Sequence, residues 1–396
     1  MIIKSLYSRF TGREIIADKG AIFVAILAFL TARPYFVWHT SIPVYALILM
    51  LFMLLVHNRL RYSRIGIACI FAILYLWIAL RGPFTFIGAL SVFPSFLIFF
   101  ADESFVRRSF LCYKSIFSIT LIPSLIIFIL AIVTGFDLSF SQIEPLNSIK
   151  DGVYRQYPFL VVYEAVSGFP MLRFNGYYDE PGLLGTISAI LLISDNCNMK
   201  KLENWVILLT GICSLSLFFF VLIGLYILIF SDVKTKVLIL IVGSVLVSLA
   251  MSIEYLRDSF FSRFLFENGR LSGDNRTDAS YDIWYSSFIS SKDLFLGLGG
   301  TVASDKNYGG ASYKDLIVTY GVIHFILYIM SFLLFYLKVI GKNKYFLICS
   351  LMFLCVIYQR PSISDFYYIF LFVGAACTKK ICGNYETKGI CTSSSI

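Results

Sequence analysis

Charge is scarce in this chain. Only 14% of its residues are charged while 58% are hydrophobic, and the mean hydropathy of +0.81 excludes an ordinary soluble domain. The alternating ten-residue strands of an outer-membrane barrel are lacking, so helices are the only spanning solution left. No Walker, HExxH or GxSxG pattern occurs. There is no internal repeat and no low-complexity linker. Cys69, Cys112, Cys197, Cys213, Cys349, Cys355, Cys377, Cys382 and Cys391 lack zinc-ligand spacing, so no metal site is expected. None of them falls in the two long polar loops, which suits loops facing an oxidising compartment without disulfides. A cleavable signal peptide is also missing: Lys4, Arg9, Arg13 and Lys19 precede the first apolar run. That run is read as an uncleaved start signal. The net charge of +9 does not point to nucleic acid, because the basic residues form no stripe with interleaved aromatics.

What is present is a succession of apolar stretches, each able to cross a bilayer as a helix. They are read at 20–38, 41–57, 64–80, 84–101, 115–135, 182–194, 205–230, 237–253, 316–337, 345–358 and 366–378. Together they predict one all-α polytopic transmembrane bundle over 1–396. The stretch 205–230 is long for one crossing and short for two. Loop charge decides between them. If it breaks near Ser214 to Ser216, then Lys234, Lys236, Lys338, Lys342, Lys344, Lys379, Lys380 and Lys388 share the cytoplasmic side. Arg59, Arg61, Arg64, Arg107, Arg108, Lys114, Lys200 and Lys201 then lie there too, as the positive-inside rule requires. This gives about twelve crossings with both termini cytoplasmic. Two long loops, 136–180 and 254–315, then share the outer face. Their aromatic content predicts short amphipathic helices on the membrane or bundle.

The first loop ends in Arg173-Phe174-Asn175-Gly176-Tyr177-Tyr178-Asp179-Glu180-Pro181-Gly182, a cluster of charge beside hydrocarbon. Pro181 suits a first helical turn and the acidic pair suits its dipole, so capping is the plain reading of Asp179 and Glu180. The sharper reading is a carboxylate held to take a proton from a sugar hydroxyl. The same loop carries Arg155. The second loop carries Arg257, Arg263, Arg270 and Arg276, a residue type that grips phosphate with a bidentate fork; its plain reading is a solvated outer loop of mixed charge. Gly297-Leu298-Gly299-Gly300 lacks a preceding strand and a following Gly-Lys-Ser/Thr, so it is a flexible turn near a ligand and not a nucleotide loop. Ser312 and Asp315 stand where a helix cap is expected. His324 is read as a core or interhelical hydrogen-bonding histidine. Arg360 follows Gln359 at a short outer turn, within reach of the same cavity or of headgroups.

In order and spacing, the 173–182 run, Asn275-Arg276, Gly297–Gly300 and Ser312–Gly321 resemble Wzy-type O-antigen and exopolysaccharide polymerases, relatives of O-antigen ligases. The resemblance covers about 170–340. Two features depart from it. Ser214-Leu215-Ser216 stands where relatives have Thr-Ser-Arg, and no ligase-type histidine lies near Ser312, which favours polymerase over ligase. The resemblance implies an inverting, metal- and cofactor-independent glycosyl transfer. Donor and acceptor are both undecaprenyl-pyrophosphate-linked oligosaccharides, acted on at the outer face of a bacterial inner membrane. A chain-length regulator is an implied partner; nucleic acid is not. Carried onto this chain, Arg173, Arg276, Arg360 and Arg155 bind pyrophosphate. Glu180 is the base and Asp315 its alternate, while Tyr177, Tyr178, Gly299 and Ser312 contact substrate. The rival readings are an O-antigen ligase, a lipid-linked oligosaccharide flippase and a polytopic acyltransferase. A flippase needs charge inside several helices, and no acyl-transfer histidine motif is evident.

Overall fold

The computed structural model describes residues 18–57, 93–146, 152–164, 173–252, 279–299, 313–360 and 365–386, with Thr11, Ile73, Leu74, Trp77 and the pairs 266–267 and 270–271. The protein is mostly helical. The stretch expected at 64–80 lies almost wholly outside the described residues, as does 84–101 before Phe93.

Helix α1 (Lys19–Thr31) starts where the Asp18 carboxylate accepts the Ala21 N–H at 3.1 Å, and it stops ahead of Pro34. Helix α2 spans Ile42–His57 and packs on α1. Helix α3 (Glu103–Val133) is 31 residues long. It begins twelve residues before the expected 115, because Asp102 caps Ser104 and Phe105 and the charged first turns are good helix formers. Hydropathy saw only its apolar part.

Helices α4 (Pro181–Ser194), α5 (Leu202–Cys213), α6 (Leu217–Phe230) and α7 (Val233–Met251) follow. The predicted break at Ser214 to Ser216 is present. Leu215 turns the chain with φ +46°, and Ser214 Oγ donates to the Gly211 carbonyl at 2.7 Å. Helix α4 packs along both α5 and α6. Close approach is possible because Gly185 has no side chain: a Cβ there would lie 2.5 Å from Ser216 Cβ.

The first long loop corrects the expectation of amphipathic helices. Its described part is a three-stranded antiparallel sheet, β1 (Ser141–Ile143), β2 (Val153–Tyr157) and β3 (Leu160–Glu164), in that order. Tyr154, Tyr157, Val161 and Val162 are strand-forming residues, and they are buried. Tyr154 and Val161 pack against Trp38 beyond α1. In the second loop, β4 (Phe266–Glu267) pairs with β5 (Arg270–Leu271), and helix α8 (Ala279–Ile289) follows.

Helix α9 (Tyr313–Ile340) is interrupted at Gly321, whose φ of 86° and ψ of 163° are not helical. The Gly-rich segment beside it mends the break. Leu298 N–H donates to the Val318 carbonyl at 2.7 Å, Gly299 N–H to Thr319 at 3.0 Å, and Ile323 N–H to Phe295 at 3.4 Å. A methyl at Gly321 would collide with the Phe295 carbonyl in a conformation open only to glycine. Gly321→Ala is therefore expected to cost about 1–3 kcal/mol in strain alone. A thermal melt in detergent unchanged from wild type would contradict this. Helices α10 (Lys344–Gln359) and α11 (Phe366–Glu386) complete the bundle, which closes on stacked rings such as Phe332 and Phe353, 4.3 Å apart.

Among the described residues, helices α3 and α9 are long and apolar enough to cross a membrane, and seven shorter helices are apolar too. The elements leave two distinct ends. One gathers the C-terminus of α1, the sheet, the 173–182 run, the Ser214 break and Arg360. The other gathers Asp18, Arg108, Lys114, Asp195, Lys201 and Lys379.

Candidate functional site

The site is built where chain ends meet. Pro181 opens α4, so Glu180 immediately before it takes an extended conformation and directs its carboxylate away from the helix. Arg360 closes α10 on the same end. Its Nη1 donates to Glu180 Oε2 across 180 residues of sequence. Arg360 is 6% exposed, whereas the Glu180 side chain keeps 34% of its surface. The arginine is thus sunk in protein and the carboxylate meets solvent. Arg360 Nε and Nη2 have no hydrogen-bond partner among the described residues. Nε and Nη2 form the planar edge of a guanidinium that grips a bidentate anion, and both nitrogens are buried. Gly182 lies flush against Nη2, leaving no room for a β-carbon there.

Arg173 has a different setting. Its Nε donates to the Ser214 carbonyl at 3.2 Å and its Nη2 to Leu215 at 3.3 Å. Phe174 N–H donates to Cys213 at 3.0 Å. The carbonyls left over at the end of α5 are thereby satisfied, as any buried helix end requires. No arginine stands in the Ser214–Ser216 break itself, and Arg173 reaches that break from outside it.

Arg155 is taken up within the sheet. Its Nε and Nη2 each donate to Glu164 at 2.7 Å. The Arg155 hydrogen bonds hold the Glu164 carboxyl below its ordinary value. A lowered carboxylate pKa adds stability above the ordinary carboxylate range, and this is lost as pH falls below that range. The structure gives Arg155 a folding partner and does not bring it to Arg360.

Tyr177 and Tyr178 correct the expectation of substrate contact. They are 4% and 0% exposed. Tyr177 stacks on Tyr35 at 6.0 Å and donates its hydroxyl to the Thr120 carbonyl at 2.6 Å, in the turn loosened by Pro123. Tyr178 packs on Phe117. Both rings fasten the run to α1 and α3, and neither is open to a ligand. Asp179 is tied in by its carbonyl, which accepts the Tyr154 hydroxyl.

In the second loop, Asp315 accepts the Tyr281 hydroxyl at 2.8 Å, tying α9 to α8. Gly299 serves the mended helix break. Arg276 and Ser312 lie outside the described residues.

Sequence reading did not single out Arg33 or Asp365. Arg33 follows α1 in a left-handed turn of φ 53°, and Asp365 precedes α11. Both are exposed at the same end as Arg360. An isolated Asp before an apolar helix reads as a cap, so no local signal marks it. His324 is buried as expected, but neither ring nitrogen has a hydrogen-bond partner among the described residues. No group of three or more His, Cys, Asp or Glu able to hold a metal occurs among the described residues. No family model, curated protein or solved structure matches the chain.

Proposed function

We propose that this chain is a multi-pass glycosyltransferase of the O-antigen polymerase type, resident in a bacterial inner membrane. It joins oligosaccharide repeat units carried on undecaprenyl pyrophosphate. The observation that carries the reading is Arg360: a buried guanidinium with two uncommitted N–H groups, held by Glu180 at an end of the bundle where the long loops gather.

The membrane part rests on exposed apolar surface. Leu240 is 75% exposed, Val133 78% and Phe52 63%, on three different helices. Surface of that kind is costly in water and natural in lipid. The lysines assigned to the cytoplasm by loop charge, such as Lys201 and Lys379, belong to the end opposite Arg360.

In the proposed reaction Arg360 takes the pyrophosphate of the donor and offsets the charge that grows as it leaves. Glu180 holds the guanidinium in register until the anion arrives. The resemblance implies that Arg276 also binds the leaving group. Arg173 contributes by fixing the Ser214 break. A flippase reading is less well supported, because these charges cluster at the bundle ends. A strain lacking this gene provides the test. The expected phenotype is single repeat units on the lipid core, restored to long chains by the wild-type gene. Complete loss of repeat units would favour the ligase instead, and unchanged long chains would refute both.

A further inference from the structure

The sheet at the Arg360 end carries an unusual turn. Its register pairs Tyr157 with Leu160, so Pro158 and Phe159 alone connect β2 to β3. Phe159 holds φ 62°, a left-handed conformation that glycine or asparagine adopts at less cost. Its ring is nonetheless 52% exposed. A bulky ring kept at a strained position, with half its surface left open, points to a use outside the fold. Two further rings are open nearby: Phe36 is 50% exposed and Phe140 41%. Phe140 lies 5.9 Å from Tyr157, which leads into the turn. Phe36 lies 5.7 Å from Tyr35, and Tyr35 packs with Trp38, Tyr154 and Val161. The N–H groups of Tyr35 and Val161 donate to the adjacent carbonyls of Tyr177 and Gly176, at 2.7 and 3.0 Å.

The exposed apolar surface of the bundle runs into these rings. On α1, Ile22, Phe23 and Ile26 are exposed, and the helix carries on to Phe29, which stacks with Phe36 at 6.4 Å. On α3, Ile126, Ile129, Leu130 and Val133 form an exposed stripe at helical spacing, up to the last residue of the helix. Helices α1 and α3 pack on each other, β3 packs against α3, and Phe140 lies in the segment that leaves α3. Away from the turn the sheet is polar. Gln142 and Glu144 are exposed, and His39 Nε2 lies 3.4 Å from the Glu144 carbonyl. The sheet is thus aromatic where it continues the apolar surface and polar where it leaves it. That grading is expected of a segment seated at a membrane interface.

We propose that the Pro158-Phe159 tip, flanked by Phe36 and Phe140, is immersed in the lipid leaflet at the Arg360 end and anchors the sheet at headgroup depth. This rests on the membrane reading above and not on the glycosyl transfer. Bilayer lipid is the occupant because the open rings continue the exposed apolar surface of α1 and α3 without a polar gap. The anchor bears on the candidate site. Val161, just beyond the tip, donates to the Gly176 carbonyl, and the Tyr154 hydroxyl donates to the Asp179 carbonyl. The depth of the tip therefore sets the depth of the 173–182 run, which includes Glu180. A phosphate attached to a lipid chain travels at headgroup level, since its charge is excluded from hydrocarbon. Anchored there, the Glu180–Arg360 pair meets such a headgroup at its own level.

The test places the full chain in phosphatidylcholine vesicles, adds one tryptophan at a time and subtracts the wild-type emission. Phe159→Trp should lose most of its added emission when the acyl chains are brominated close to the headgroup. Iodide on both sides of the membrane should leave that emission nearly intact. Val133→Trp, on the exposed stripe of α3, should also be quenched by the brominated lipid. Gln142→Trp should show the opposite pattern, quenched by iodide and spared by the brominated lipid. Phe159→Trp quenched by iodide as readily as Gln142→Trp would overturn the inference alone, since the tip would then stand in water, open to a sugar or a partner protein. Val133→Trp spared by the brominated lipid would overturn the membrane reading and this inference with it.

Discussion

Arg360→Ala should abolish polymer while the protein still folds. Removing a preorganised charge that stabilises a leaving anion costs about 10²–10³ in rate. The variant leaves Glu180 without its cation, but a third of that side chain already meets solvent, so water can replace the guanidinium. Folding should survive for that reason. Arg360→Lys keeps the charge and loses the planar fork, so it should remain impaired if two N–H groups engage the pyrophosphate. Gly182→Ala should act in the same direction more mildly. Its new methyl forces Nη2 aside without removing it. Repeat-unit ladders from complemented cells, normalised to protein in the membrane, provide the comparison. Full-length chains from Arg360→Ala would sink the role given to this residue.

The largest effect on stability should come from the other end of the bundle. Lys114 on α3 is fully buried, 2.5 Å from Asp195 and 3.1 Å from Glu203, which is also fully buried. Lys201 adds a second contact to Asp195 at 2.8 Å. Asn204 donates to the same carboxylate at 3.0 Å. Burial alone would raise the Asp195 pKa, but the charges of Lys114 and Lys201 outweigh it and hold the carboxyl below its ordinary value. The cluster thus adds stability above the ordinary carboxylate range and loses it as pH falls through the lowered value. Breaking a buried pair on one side costs about 3–5 kcal/mol, since the other charge stays behind. Lys114→Met should therefore lower Tm in detergent by about 5 °C. The double variant Lys114→Met with Glu203→Gln should recover part of that loss, because the stranded anion is gone. A single variant melting within about 2 °C of wild type would contradict the account.

Different features of the chain were legible to different degrees. The break at Ser214 was readable because charge on both flanks demanded a return of the chain, and helix length alone could not have shown it. The start of α3 was misplaced because hydropathy measures burial in lipid, while Asp102 and the charged turns after it obey helix-capping rules. Lys114 was counted among loop charges for the same reason. The sheet at 141–164 escaped because its alternation is short and its aromatic residues read equally well as an amphipathic helix. The resemblance makes Tyr177 and Tyr178 substrate contacts, yet only the fold shows their rings against α1 and α3. The pairing of Glu180 with Arg360 joins residues far apart in the chain, and each alone reads as a cap or a headgroup anchor.

The central claim is that this chain lengthens glycans on undecaprenyl pyrophosphate through Arg360. The most direct measurement is the product of the purified full-length protein in liposomes, supplied only with lipid-linked repeat units and no nucleotide sugar. The account predicts a ladder of two and more repeats from wild type and none from Arg360→Ala. Intact single units in the wild-type lane, or equal ladders in both lanes, would contradict it.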